Sequence, residues 1–104
     1  MEQRRIRIVL DAMGGDFGPS VNVEGALAVA DDPNFDIILV GKQAKIRTLV
    51  REMGMPERRP RVVNAEQAVG MSESPKASLR KRDSSLAIAV DLVKKGEADA
   101  VVSM

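Results

Sequence analysis

The sequence predicts an α/β fold, a parallel β-sheet covered by helices, and three observations carry that prediction. Strand and helix signals alternate without a break along the 104 residues, as they do when βαβ units follow one another. Turn and cap residues separate the signals: Asp31-Asp32-Pro33-Asn34, Met53-Gly54-Met55-Pro56, and Gly96 after Lys94-Lys95. A helical segment from Ser84 carries Leu86, Ile88, Ala89, Val90, Leu92 and Val93 around most of its circumference, a pattern that buries well against a sheet.

Taken in order, Ile6 to Leu10 is an apolar run of strand length that stops at Asp11. Ser20 to Ala30 places Val23, Leu27 and Ala30 at helical spacing, and Pro19 suits the first helical position, where an N–H has no partner in any case. Phe35 to Val40 is the second strand, Ala44 to Met53 the second helix and Arg61 to Val63 the third strand. A helical stretch is expected from Pro75, capped by Ser74 and ending in Arg80-Lys81-Arg82. A longer helix follows from Ser84 to Lys95, opened by the capping residues Asp83-Ser84-Ser85, and the last strand covers Ala98 to Val102. A parallel strand normally runs on into a loop and a covering helix. With only Ser103 and Met104 beyond it, the chain reads as truncated, the N-terminal portion (1–104) of a single larger α/β domain without an internal boundary.

Composition excludes several kinds of chemistry. The chain has no cysteine and no histidine, which removes thiolate nucleophiles, disulfides, imidazole bases and the usual zinc ligand sets. Neither a metal nor another cofactor is called for. Sixteen basic against 15 acidic residues leave a net charge of +1, so nothing attracts the whole chain to nucleic acid. Phe17 and Phe35 are the only aromatic residues, too few for base stacking. The apolar run after Arg5 is too short for a signal-peptide core or a membrane span, so a cytoplasmic location is expected.

The candidate site begins at Asp11-Ala12-Met13-Gly14-Gly15-Asp16, directly after the first strand. Glycines here can take positive φ and let a ligand oxygen reach main-chain amides, and the loop feeds a helix N-terminus that favours an anion. The spacing is neither the dinucleotide pattern G-x-G-x-x-G nor, at Gly41-Lys42, a phosphate-binding P-loop. Asp11 and Asp16 repel an anion unless they turn toward amides, and orienting the loop is the role that follows. In a parallel sheet, every loop leaving a strand lies on one edge. Asp11 to Ser20, Gly41-Lys42, Asn64 to Ser74 and Ser103 are therefore expected to meet. Arg80, Lys81 and Arg82 next to the fresh amides at Ser84 and Ser85 either hold a phosphate or neutralise the end of the preceding helix. Ser84 reads as a helix cap rather than a nucleophile, since no base is at hand to activate it.

Several segments in order resemble the N-terminal part of bacterial phosphate acyltransferase of the PlsX type. They are Ile8 to Asp16, Val23-Glu24-Gly25-Ala26, Leu39-Val40-Gly41, Val69-Gly70-Met71, Glu73-Ser74-Pro75, Leu79-Arg80-Lys81 and Asp83-Ser84-Ser85. The resemblance implies a three-layer α/β/α fold related to the isocitrate and isopropylmalate dehydrogenases. It also implies transfer of a fatty acyl group from acyl carrier protein to inorganic phosphate, in a homodimer with peripheral membrane association. Phosphate is itself a competent nucleophile and a thiolate a fair leaving group, which suits a chain without cysteine or histidine. The roles expected on this basis are amide contacts to phosphate or oxyanion at Gly14 and Gly15, and anion neutralisation by Arg80 and Lys81. Ser84 and Ser85 would donate hydrogen bonds to phosphate, Asp16 would orient the loop, and Asp11, Met13 and Ser103 would border the substrate. Arg80 to Arg82 could instead meet the acidic carrier protein. The competing readings are acyl transfer between coenzyme A and phosphate, and a non-catalytic phosphate-binding or dimerising fragment.

Overall fold

A computed structural model describes residues 5–14, 18–54, 60–65 and 84–103. The helical stretch expected from Pro75 lies outside them, as do Gly15, Asp16, Arg80 and Lys81. The elements are β1 (Ile6–Asp11), α1 (Gly18–Val29), β2 (Phe35–Gly41), α2 (Gln43–Met53), β3 (Arg61–Asn64), α3 (Ser85–Lys94) and β4 (Ala100–Ser103). All pairings are parallel, and the strands lie in the order β3-β2-β1-β4. The expected α/β class with a parallel sheet is therefore what forms.

Two boundaries differ from expectation by two residues, the others by one at most. Helix α1 begins at Gly18, ahead of Ser20, with Gly18 at φ +77° and Pro19 immediately inside the helix. Strand β4 starts at Ala100 rather than Ala98, because the Ala98 amide turns back to Leu92 O (3.2 Å). That bond belongs to the end of α3, where Gly96 N donates to Val93 O and Glu97 N to Leu92 O, with Gly96 at φ +77°. This is the paired bonding of a Schellman cap, which needs glycine at the left-handed position.

Side chains alternate across each strand, so the sheet has two faces. On one, Val23 and Ala26 of α1 and Ile46 and Val50 of α2 pack with Ile37 and Leu39. On the other, Ala89 and Leu92 of α3 pack with Val9, Ile38 and Val40. The handedness of βαβ crossovers accounts for this division. Moving from β1 to β2 to β3 lays α1 and α2 on one face, and the return across the sheet to β4 lays α3 on the other. Among the described residues, no helix is long and apolar enough to cross a membrane.

Candidate functional site at the strand-order switch

The strand order reverses direction between β1 and β4. The connection leaving β1 goes toward one face, and β4 is reached along the other, so a crevice opens beyond the carboxyl ends of these two strands. Ligands of open α/β sheets bind at such a crevice. Asp11 and Ser103 are register partners there, on the face that carries α3. Strand order was not legible in the sequence; the expected convergence is found for the strand ends at Asp11, Gly41, Asn64 and Ser103, while residues 15–17 and 66–74 of the expected loops lie outside the described residues. Asp11 lies beside Val40, and Gly41 beside Asn64.

Asp11 is 2% exposed. Its Oδ1 accepts from Met13 N at 3.1 Å, an Asx turn that bends the chain as it leaves the strand. Its Oδ2 accepts from Ser103 Oγ at 3.4 Å, linking the β1 and β4 exits. The carboxylate thus turns toward an amide and a hydroxyl, as a loop-orienting role requires.

Gly14 does not take positive φ; among described glycines that conformation occurs at Gly18, Gly54 and Gly96. What requires glycine at position 14 is close approach. A Cβ there would lie 3.2 Å from both Asp11 Oδ2 and Ser103 Oγ. The Met13 side chain folds over the end of β2, where a Cβ on Gly41 would come within 2.8 Å of Met13 Cγ and Ile46 Cδ1.

The first turn of α3 enters the same edge from the same face. Ser84 is its N-cap, with Oγ accepting from Ala87 N at 3.1 Å and its carbonyl accepting from Ile88 N at 3.0 Å. These bonds leave the Ser85 and Leu86 amides without an intrahelical acceptor. The Ser85 hydroxyl is fully buried and has no hydrogen-bond partner among the described residues. Buried polar groups rarely stay unpaired unless something binds them. The structure therefore brings Asp11, Met13, Gly14 and Ser103 together around one loop, with Ser84 and Ser85 at the same edge.

Asn22 was missed by sequence reasoning. From α1 its Nδ2 donates to Ala12 O at 2.8 Å and Gly14 O at 2.7 Å, holding the loop from the opposite face to Asp11. Its only signal was an asparagine beside Val23 in a helix interior, where that residue is a weak helix former. Asn64 acts similarly at the next exit, its Oδ1 accepting from Gln43 N at 3.0 Å. No cluster of side chains suited to a metal ion occurs among the described residues.

Residues 6–104 match the sequence model of one family, described as fatty acid synthesis protein. The chain belongs to that family. Among its curated members, phosphate acyltransferase from a Nitratiruptor species is 46% identical over 99 residues, which are 94% of this chain and 29% of the relative. The Thermodesulfovibrio yellowstonii phosphate acyltransferase is 42% identical over 98 residues, with 94% and 28% covered. That of Pseudomonas savastanoi pv. phaseolicola is 46% identical over 99 residues, with 92% and 29% covered. The chain thus spans under a third of the length of these relatives and corresponds to their N-terminal part, as the resemblance in the sequence implies. In this fatty acid synthesis family member, the Asp11–Ser103 contact and the α3 N-terminus lie on the same face at one edge of the sheet.

Proposed function

We propose that this chain supplies the phosphate-facing part of an enzyme that transfers a fatty acyl group from acyl carrier protein to inorganic phosphate. A phosphate oxygen attacks the thioester carbonyl, a C–O bond forms, the C–S bond breaks, and the thiolate leaves with the carrier. The product is an acyl phosphate for phospholipid synthesis. The observation that carries the reading is the buried Ser85 hydroxyl at the start of α3, without a partner among the described residues, on the edge where the Asp11–Ser103 pair closes the crevice. A phosphate oxygen satisfies that hydroxyl and the first-turn amides, and the helix dipole favours its charge.

The remaining roles are those that sequence order and the family resemblance imply. Gly14 and Gly15 offer amides to the phosphate or the tetrahedral oxyanion. Arg80 and Lys81 neutralise charge, Ser84 adds its O–H, and Asp16 orients the loop. Asp11, Met13 and Ser103 shape the floor. No covalent enzyme intermediate is needed; positioning and oxyanion stabilisation each contribute on the order of several kcal/mol. The full-length enzyme is proposed to adopt the fold of the isopropylmalate dehydrogenase relatives. It works as a cytoplasmic homodimer that associates peripherally with the inner face of the membrane.

The test is a full-length protein carrying this segment, supplied with acyl carrier protein thioesters with and without phosphate. Phosphate-dependent thiol release, with acyl phosphate trapped by hydroxylamine, is expected. Preference for coenzyme A esters would point to the phosphotransacetylase-like alternative. Phosphate binding with turnover of neither donor would make the segment a non-catalytic binding module.

A further inference from the structure

We infer that Asn22 is a positioning residue for the phosphate site: by tying the carbonyls of Ala12 and Gly14 to the α1 side of the sheet, it keeps the loop turned with its N–H groups, and not its oxygens, toward the crevice. The inference rests on the acyl-transfer reading above and gives that site a residue from the opposite face. Asn22 is buried in α1, the helix whose Val23 and Ala26 pack on the side away from α3. A side-chain amide has two N–H donors, and Asn22 directs its nitrogen at two loop oxygens, Ala12 O at 2.8 Å and Gly14 O at 2.7 Å.

A trans peptide points its carbonyl and its N–H in opposite directions. The unit joining Ala12 to Met13 shows the consequence. Its oxygen is tied to Asn22 on the α1 side, and its N–H reaches Asp11 Oδ1 at 3.1 Å on the α3 side, where Asp11 also meets Ser103. The unit that begins at the Gly14 carbonyl has the same anchor. In the sequence it joins two glycines, with no β-carbon on either flank to resist its turning over. Turned over, it would set a carbonyl oxygen against an incoming phosphate and repel it. The Asn22 bond is what opposes that rotation from the α1 side, so the residue acts on the anion through the loop and without touching it.

The test uses the full-length enzyme, assayed well below the melting temperature of each variant. Asn22→Ala should lower kcat/KM for phosphate on the order of 10- to 100-fold, the scale that a misplaced group costs, while KM for the thioester donor stays within about twofold of the parent. Val50→Ala, a core truncation in the second half of α2, is the stability control: it should melt lower and leave both constants within about twofold. A phosphate constant unchanged in Asn22→Ala, a parallel loss on the donor, or an equal loss in Val50→Ala overturns the inference. Asn22→Asp is the second variant. Relative to the parent, its kcat/KM for phosphate should recover on acidification, when the protonated carboxyl donates one bond; a ratio that does not change with pH counts against the positioning role. Anion binding is read apart from turnover by the rise in melting temperature that phosphate produces. The rise should be smaller in Asn22→Ala than in the parent at the same phosphate concentration, and an equal rise in both overturns the inference. A parent that phosphate stabilises but that transfers no acyl group would defeat the acyl-transfer reading and leave the positioning role standing. A parent indifferent to phosphate in both measurements would defeat both.

Discussion

Asn22→Asp replaces a hydrogen-bond donor by an acceptor where the chain presents only acceptors. Asn22 is 7% exposed, and its amide nitrogen bridges Ala12 O and Gly14 O at 2.8 and 2.7 Å. Losing two hydrogen bonds costs about 1 kcal/mol each, and leaving the carbonyls facing an unpaired acceptor adds to this, for a total of about 2–4 kcal/mol. At ~4–8 °C per kcal/mol for a domain of this size, the variant should melt on the order of 8–32 °C lower near neutral pH. The introduced carboxylate faces two carbonyl oxygens, so the folded chain favours its protonated form and raises its pKa. The folded state then binds more protons than the unfolded state, and stability falls as pH rises. The deficit is largest above the raised pKa and shrinks on acidification, when a protonated acid can donate once. Thermal unfolding by circular dichroism across a pH series, with Asn22→Ala in parallel as a pH-independent loss of about 1–3 kcal/mol, makes the measurement. A melting temperature within about 2 °C of the parent, or a deficit that grows on acidification, would refute the bridging role.

Gly41→Ala should cost about 1–3 kcal/mol through overpacking, because its Cβ meets Met13 and Ile46 at 2.8 Å. Combining it with Met13→Ala should restore part of that loss in a denaturant double-mutant cycle, and strict additivity would remove Met13 from the contact. Gly14→Val in the full-length enzyme should abolish phosphate-dependent acyl transfer while most of the fold survives, since the side chain occupies the space against Asp11 and Ser103; unchanged turnover would defeat the loop assignment. Asp99→Ala should lower the melting temperature, because the Asp99 carboxylate accepts from Arg7 N, Nε and Nη2 and pins β4 beside β1. The Arg7 guanidinium, raised above its ordinary pKa chiefly by its hydrogen bond to Asp99, stays charged throughout the accessible range. The part of the effect due to the ion pair should therefore vary with salt and not with pH above the carboxylate range.

Local pattern carried most of the architecture. Alternating signals gave the strands and helices, and the Lys94-Lys95-Gly96 ending gave a cap that the Gly96 and Glu97 amides complete. Parallel pairing then placed Asp11, Gly41, Asn64 and Ser103 on one edge. Strand order was not readable, because it depends on the side of β1 to which the chain returns after β3, and no local propensity encodes that choice. Gly14 illustrates a different limit. Its importance was visible, but the reason lay in space shared with Ser103, a neighbour brought in by the fold rather than by sequence. Asn22 was hidden for the same reason: a polar helix residue looks solvent-facing until its partners are known. Arg80 and Lys81, whose roles rest on sequence order and family resemblance, lie outside the described residues.

Strand β4 is exposed along its whole length and carries only Ala100, Val101, Val102 and Ser103. Among the described residues no strand pairs with its outer side, and shortness is the one device there that natural sheets use to blunt such a border, without lysine, proline or bulge. In a preparation of this chain alone, edge-to-edge pairing at these four residues should raise the apparent mass with concentration in analytical ultracentrifugation.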